Sequence, residues 1–116
     1  MNEISNTNLK SLVFKTPEGL VFFDYDEIIY IKADRNDTHF FTVNKKKPLK
    51  VIGNLNLIRN SLPGKMFFRC HRSYIINIVH INELKHKSKV LVMSNNEAIP
   101  ITTVSEKELL QFFLGG

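Results

Sequence analysis

The side chains of this sequence that could carry chemistry are one cysteine, four histidines and a scattered set of basic residues. Cys70 and His71 are adjacent, so on a strand they point to opposite faces, which disfavours a shared metal site or a catalytic pair. Zinc needs three or four converging ligands, and neither an HExxH nor a CxxC pattern occurs. Glycine-rich phosphate loops and the GxSxG pattern are missing as well. The sequence therefore predicts no metal site, no cofactor and no enzymatic activity, and Cys70 is expected to be a small buried residue of a strand.

The basic residues suggest a different chemistry, the binding of an anion. The chain of 116 residues has 16 Lys and Arg against 11 Asp and Glu, a net charge of +5 and a pI near 9.4. This balance favours an anionic partner such as nucleic acid. The run Lys45, Lys46 and Lys47 either contacts phosphate or forms a solvated hairpin tip that discourages edge pairing, and the sequence leaves both possibilities open.

Two further groups of residues allow a functional and an ordinary interpretation. A polar loop containing Arg35 and Asn36 precedes His39, and Arg72 directly follows the Cys70-His71 pair. Each group is either presented to a nucleic-acid groove or is a charged surface in water. The paired Phe residues at 22–23, 40–41 and 67–68 could stack on bases, but adjacent strand residues face opposite sides, so we expect at least one of each pair in the core.

The elements that must position these side chains are mostly short strands. β-Branched and aromatic runs separated by turn residues predict strands at residues 11–15, 20–23, 28–33, 38–43, 48–51, 66–71, 74–77, 81–86, 89–93 and 97–101. A short helix follows the capping residue Asn54 and ends at Pro63-Gly64. Ser105 and Glu108 match a capping box, which predicts a closing helix with Ser105 as its capping residue. This pattern is typical of an all-β domain.

The chain length fits one domain, which we place at residues 10–116 after a flexible N-terminal segment at residues 1–9. The N-terminus lacks the features of a signal peptide, and no apolar run approaches the ~20 residues that span a bilayer. A single cysteine cannot form an internal disulfide. We therefore expect a cytoplasmic protein with no membrane partner.

The most distinctive segment runs from Phe67 to Asn77, with the sequence FFRCHRSYIIN, and is followed by Ile81. It resembles the signature of the LytTR family of bacterial DNA-binding domains. The segments DEIIYI at 26–31, GNL at 53–55 and IPI at 99–101 are also similar to this family, so the resemblance covers residues ~11–113. It implies an elongated stack of short antiparallel β-sheets with one or two short helices. It also implies a regulator of bacterial transcription that places loops in successive major grooves of double-stranded DNA.

The resemblance also assigns roles by position. His39 and Arg72 would contact base edges, and Asn36 and Thr103 are further base-contact candidates. Where the family often has Ser followed by a basic residue, this chain has Thr102-Thr103, and Thr103 cannot form a bidentate contact with guanine. The phosphate-contact candidates are Arg35, Lys45, Lys46, Lys47, Ser73, Thr102 and Lys107.

The resemblance further implies two copies bound to repeated sites, and a receiver or sensor domain on the same or another chain. Thr103 motivates an alternative, in which a protein- or ligand-binding regulatory module kept this fold and lost DNA recognition. Duplex binding that weakens steeply with salt distinguishes the first function from the second.

Overall fold

The computed structural model describes residues 12–115, so the predicted N-terminal segment at 1–9 lies outside the described residues. The described chain forms ten strands and two helices. The strands are β1 (Leu12–Thr16), β2 (Gly19–Phe23), β3 (Ile28–Asp34), β4 (Asp37–Thr42), β5 (Leu49–Val51), β6 (Phe67–His71), β7 (Tyr74–Asn77), β8 (Ile81–Lys85), β9 (Val90–Met93) and β10 (Ala98–Pro100). The helices are α1 (Leu55–Asn60) and α2 (Thr103–Leu114). The predicted all-β class is confirmed.

The strands form three antiparallel sheets. The central sheet has five strands in the order β5-β4-β3-β7-β6, while β1 pairs with β2 and β9 lies between β8 and β10. The molecule measures 52 × 33 × 25 Å along its principal axes, which confirms the predicted elongated stack. No helix within residues 12–115 is long and apolar enough to cross a bilayer.

Each face of the central sheet supports a separate hydrophobic core, because successive strand residues alternate between the two faces. On one face, Phe40 is fully buried among residues of β1, β2 and α1, with its ring 4.9 Å from that of Phe14. On the other face, Ile76 packs with Leu91 of β9 and Leu109 of α2. A sheet that is covered on both faces is a rigid support for the turns at its ends.

The aromatic pairs behave largely as filler for these cores. Phe23, Phe40 and Phe67 are buried, as expected for one member of each pair. Phe41 is half-buried and stacks on Tyr30 with the ring centroids 4.3 Å apart. Packing on both faces of the sheet therefore accounts for most of these rings.

The predicted cap of the closing helix, Ser105, is wrong by three residues. α2 begins at Thr103, and the side chain of Thr102 caps it by accepting a hydrogen bond from the Ser105 N–H at 3.1 Å. The Thr102 N–H also donates to the Cys70 carbonyl at 3.1 Å, which fixes the chain before the helix. Starting there directs Glu106 and Leu109 inward, and both are buried. Asn54 caps α1 as predicted, accepting from the Leu57 N–H at 3.0 Å.

Candidate nucleic-acid interface

Two short turns lie side by side at one end of the central sheet. Arg35 and Asn36 connect β3 to β4, and Arg72 and Ser73 connect β6 to β7. The Ala33 N–H, near the end of β3, donates to the Ser73 carbonyl at 2.8 Å and links β3 to the β6–β7 turn. Arg35, Asn36 and Arg72 are exposed, whereas Ser73 is half-buried. We call this region, formed by residues 35–36 and 72–73, the turn end of the sheet.

A polar row crosses the central sheet just inside the turn end. Cross-strand pairing joins Lys50 to His39, His39 to Lys32, Lys32 to Tyr74, and Tyr74 to His71. Directly paired residues of antiparallel strands point to the same face, so these side chains share one surface. Lys32 and Lys50 are exposed and the other three are half-buried. The sheet therefore presents cations and imidazoles together beside the two turns.

His39 and Arg72 lie at the same end of the central sheet. Neighbouring strands are about 4.8 Å apart, so the three strand intervals between β4 and β6 place His39 about 15 Å from His71. Arg72 directly follows His71 in the chain. Since a duplex rises about 3.4 Å per base pair, this separation corresponds to about four or five base pairs. The spacing suits two contacts on one side of a duplex.

His39 is held by a carboxylate of the neighbouring strand. Its Nε2 atom lies 3.1 Å from Oδ2 of Asp34, and its side chain is 33% exposed. The other carboxylate of this turn, that of Asp37, pairs with Lys50 at 3.6 Å and accepts the Gly53 N–H at 3.0 Å. The His39 ring is thus oriented while one edge remains accessible.

Lys32, Tyr74 and His71 continue the row. The Nζ atom of Lys32 lies 5.8 Å from the ring centroid of Tyr74, within cation–π distance. The His71 ring contacts Tyr74 edge-on at 5.8 Å, and its Nδ1 accepts the Ser73 N–H at 3.1 Å. In neutral His71 the proton is therefore on Nε2, which makes that atom a hydrogen-bond donor.

Arg69 braces the turn that carries Arg72. Its Nη1 donates to Oδ1 of Asn56 in α1, and its Nη2 donates to the carbonyl of Arg72. Burial lowers the pKa of the Arg69 guanidinium, and nearby Arg59 lowers it further. One side chain on β6 thus ties the exposed turn to a helix on the packed face of the sheet.

The start of α2 lies beside the outer edge of β6. Besides the bond from Thr102 to Cys70, Ser105 Oγ donates to the Arg69 carbonyl at 3.5 Å. Thr102 and Thr103 are exposed, and Lys107 lies four residues after Thr103, on the same side of the helix. The structure therefore brings Thr102, Thr103 and Lys107 close to the turn that carries Arg72.

The lysine run is not brought to this place. Lys45, Lys46 and Lys47 are exposed in the loop between β4 and β5. This loop follows Thr42, whereas the β3–β4 turn precedes Asp37, so six residues of β4 separate the two ends. At about 3.3 Å per residue the lysines lie roughly 17 Å or more from the turn end. They do not converge with Arg35 and Arg72.

The remaining candidates for chemistry have structural partners. His80 bonds to Ser94 Oγ at 2.8 Å and to the Asp26 carbonyl at 2.7 Å, and His86 bonds to Glu106 at 2.6 Å. Cys70 is fully buried, which raises the pKa of its thiol to about 12. Residues 12–115 contain no group of three or more His, Cys, Asp or Glu that could hold a metal ion.

Sequence reasoning missed Lys32, Lys50, Asp34 and the bracing role of Arg69. The two-residue turn at Arg35-Asn36 could have placed Lys32 and Asp34 beside His39, because such a turn fixes which residues of β3 and β4 pair with each other. The pairing of β3 with β7 joins residues more than 40 positions apart and left no local signal.

Comparison with known proteins defines the class. The family model described as "LytTr DNA-binding domain" matches residues 18–113. That match covers most of the chain, which therefore belongs to the LytTr DNA-binding domain family. A solved structure titled as the LytTr DNA-binding domain of a putative methyl-accepting/DNA response regulator from Bacillus cereus has the same fold. It superposes with a TM-score of 0.74 at 22% identity, covering 91% of this chain and 98% of the other.

Among individual relatives, the chain is similar to the sensory transduction protein LytT of Bacillus subtilis, with 29% identity over 108 residues. It is also 23% identical over 91 residues to the accessory gene regulator protein A of Staphylococcus epidermidis. These alignments cover 90% and 78% of this chain but only 44% and 37% of the relatives. The chain thus spans less than half the length of either relative.

Proposed function

We propose that this domain binds double-stranded DNA in a sequence-specific manner and regulates transcription, with the turn end of the central sheet facing the duplex. The observation that carries this proposal is that His39, the turn containing Arg72 and the polar row all lie at one end of a sheet that is packed on both faces. Rigid support matters because base recognition requires that side chains be held in place before binding.

The proposed base contacts are His39 and Arg72, with Asn36 and Thr103 beside them. A guanidinium can bond to both O6 and N7 of guanine in the major groove, and an imidazole or amide can bond to a single base edge. Arg72 is exposed at the tip of its turn, while its carbonyl is held by Arg69. Each good contact gives about 1–3 kcal/mol of discrimination between bases. Insertion of these turns into major grooves is part of the proposal.

The proposed phosphate contacts lie around the proposed base contacts. Arg35 and Lys107, together with Lys32 and Lys50 of the polar row, offer four exposed cations on this side. The Thr102 hydroxyl accepts the Ser105 N–H and can still donate to a phosphate, and the Ser73 hydroxyl lies in the adjoining turn. The lysine loop of Lys45, Lys46 and Lys47 would contact phosphates only at a distant part of the duplex.

The test is a titration of a fluorescent duplex at two salt concentrations. If four cations contact phosphates, the slope of log K against log salt is about −3.6, and affinity falls roughly a hundredfold between about 50 and 200 mM salt. The matched control is Lys65→Ala, because Lys65 is exposed before β6, at the end of the sheet opposite the turns. Lys50→Ala should reduce the slope by about one, and Lys65→Ala should leave it unchanged.

Failure to bind any duplex at low salt would reject the proposal. It would favour the alternative that the fold serves as a protein- or ligand-binding regulatory module. The observation that favours this alternative is Thr103, which is exposed but has no guanidinium for a bidentate contact with guanine.

The wider setting is also a proposal. The curated relatives are more than twice as long as the aligned region, and a solved relative's title names a response regulator. We infer that this domain acts in the bacterial cytoplasm as the output part of such a regulator. Its partner would be a receiver or sensor domain on the same or another chain, and two copies would occupy repeated sites.

A further inference from the structure

The two ring nitrogens of His39 have different surroundings. Nε2 lies 3.1 Å from the Asp34 carboxylate, which can only accept a hydrogen bond while it is ionised. A carboxylate this close disfavours a lone pair on Nε2, so its charge favours a proton on that nitrogen in the neutral ring. Within residues 12–115 no hydrogen-bond partner faces Nδ1, and this atom is open to solvent. The nitrogen left for a ligand is an unprotonated acceptor.

The other charges around this ring do not compete for it. Lys32 and Lys50 flank His39 from β3 and β5, but an ammonium has no acceptor to offer a protonated nitrogen. Asp37 points along the same side of β4, and its carboxylate already pairs with Lys50 and the Gly53 N–H. Asp34 is therefore the group that determines which nitrogen is protonated.

We infer that Asp34 determines base specificity by positioning His39, so that the neutral ring accepts a hydrogen bond from a base amino group through Nδ1. In the major groove the exposed amino groups are N6 of adenine and N4 of cytosine. This inference rests on the proposed function, because it assigns His39 to a base edge. It names a residue that touches no base itself and acts only through the imidazole.

The experiment is a selection from a randomised duplex pool at about pH 8, where an unperturbed histidine is neutral. The variants are Asp34→Asn and the matched control Asp37→Asn. Both substitutions keep the side-chain shape and remove one negative charge from the same turn, but only Asp34 contacts His39. His39→Ala identifies the affected base position.

At pH 8 the wild type and Asp37→Asn should prefer adenine or cytosine at that position by about tenfold, a typical value for one good contact. An amide can either donate to or accept from Nε2, so Asp34→Asn lets the ring adopt both forms. The preference of that variant should therefore fall to about twofold. A preference in Asp34→Asn equal to that of Asp37→Asn would overturn the inference.

Failure of this inference is distinguishable from failure of the proposed function. If no variant binds duplex DNA, the proposed function fails. If the wild type binds and His39→Ala removes one base preference while Asp34→Asn does not alter it, only the role of Asp34 fails. Nitrogen-15 NMR of the free protein adds a readout that needs no DNA. It should show the neutral His39 ring protonated at Nε2, and protonation at Nδ1 would contradict the inference.

Discussion

Replacing Arg69 with Met should weaken sequence-specific binding although Arg69 itself contacts no base. The guanidinium holds the Arg72 carbonyl and the Asn56 side chain at the same time. Both of these partners belong to exposed residues, so water can replace the lost bonds. We therefore expect a loss of only about 1 kcal/mol in the free energy of unfolding, which is typical of an ordinary hydrogen bond and below the value for buried bonds to charged groups.

The effect on binding follows from the freedom that the turn would gain. Ser73 stays anchored by the Ala33 N–H and by Nδ1 of His71, so Arg72 is the residue that is released. Fixing one residue again when DNA binds costs about 1–2 kcal/mol, which lowers specific affinity by about 5- to 30-fold. Non-specific affinity and its salt slope should stay within about twofold, because no phosphate contact is removed.

The assay compares the selected duplex with a scrambled one by anisotropy for Arg69→Met, Arg72→Ala and the double variant. Arg59→Met is the control, since it removes an equal neighbouring charge that holds no turn. If Arg69 acts through Arg72, the double variant should bind no more weakly than Arg72→Ala alone. Additive losses, or an equal loss on the scrambled duplex, would refute the reasoning.

Three further predictions concern groups buried away from the turns. Asn77→Leu should lower the free energy of unfolding, measured in urea, by about 3 kcal/mol. The reason is that the fully buried Asn77 amide bonds to two carbonyls and one N–H. Wild-type stability in this variant would contradict the prediction. Burial raises the pKa of the Cys70 thiol to about 12, so Cys70 should react with a thiol reagent at pH 8 roughly a thousandfold more slowly in native protein than in urea. Comparable rates would show that Cys70 is not buried in the native protein. Hydrogen bonds from Lys89 and His86 lower the pKa of Glu106 below its ordinary 4.5, so its stabilisation is present above about pH 4.5 and lost as pH falls through the lowered value. Unfolding curves against pH should show wild type losing stability relative to Glu106→Gln only below pH 4.5, and parallel curves would rule this out.

Local patterns predicted most of the elements because turn residues interrupt apolar runs. The turn at Thr16–Gly19 and the helix cap at Asn54 formed as expected. The cap of α2 was mistaken because Ser105 and Glu108 match the full capping box, whereas the true cap, Thr102, has no Glu or Gln three residues later. Only tertiary contact decides between them: the bond from Thr102 to Cys70 fixes the chain just before the helix.

The candidate site was only partly predictable for a similar reason. His39 and Arg72 were identified from a family resemblance, and their position at the same end of the sheet became visible only with the pairing of β3 and β7. Charge alone also suggested that the lysine loop contacts phosphates near these residues, but the topology places that loop at the opposite end of β4. Asp34 and Arg69 act through bonds to other residues, so their side-chain types gave no indication of these roles.

The most direct test of the account is to select duplexes from a random pool with wild type, His39→Ala and Arg72→Ala, and to compare the three base preferences. Each variant should lose its preference at one position, and the two positions should lie about four or five base pairs apart on the same bound site. Unaltered preferences in both variants, or affected positions more than one helical turn apart, would contradict the claim that the two turns contact one side of a duplex together.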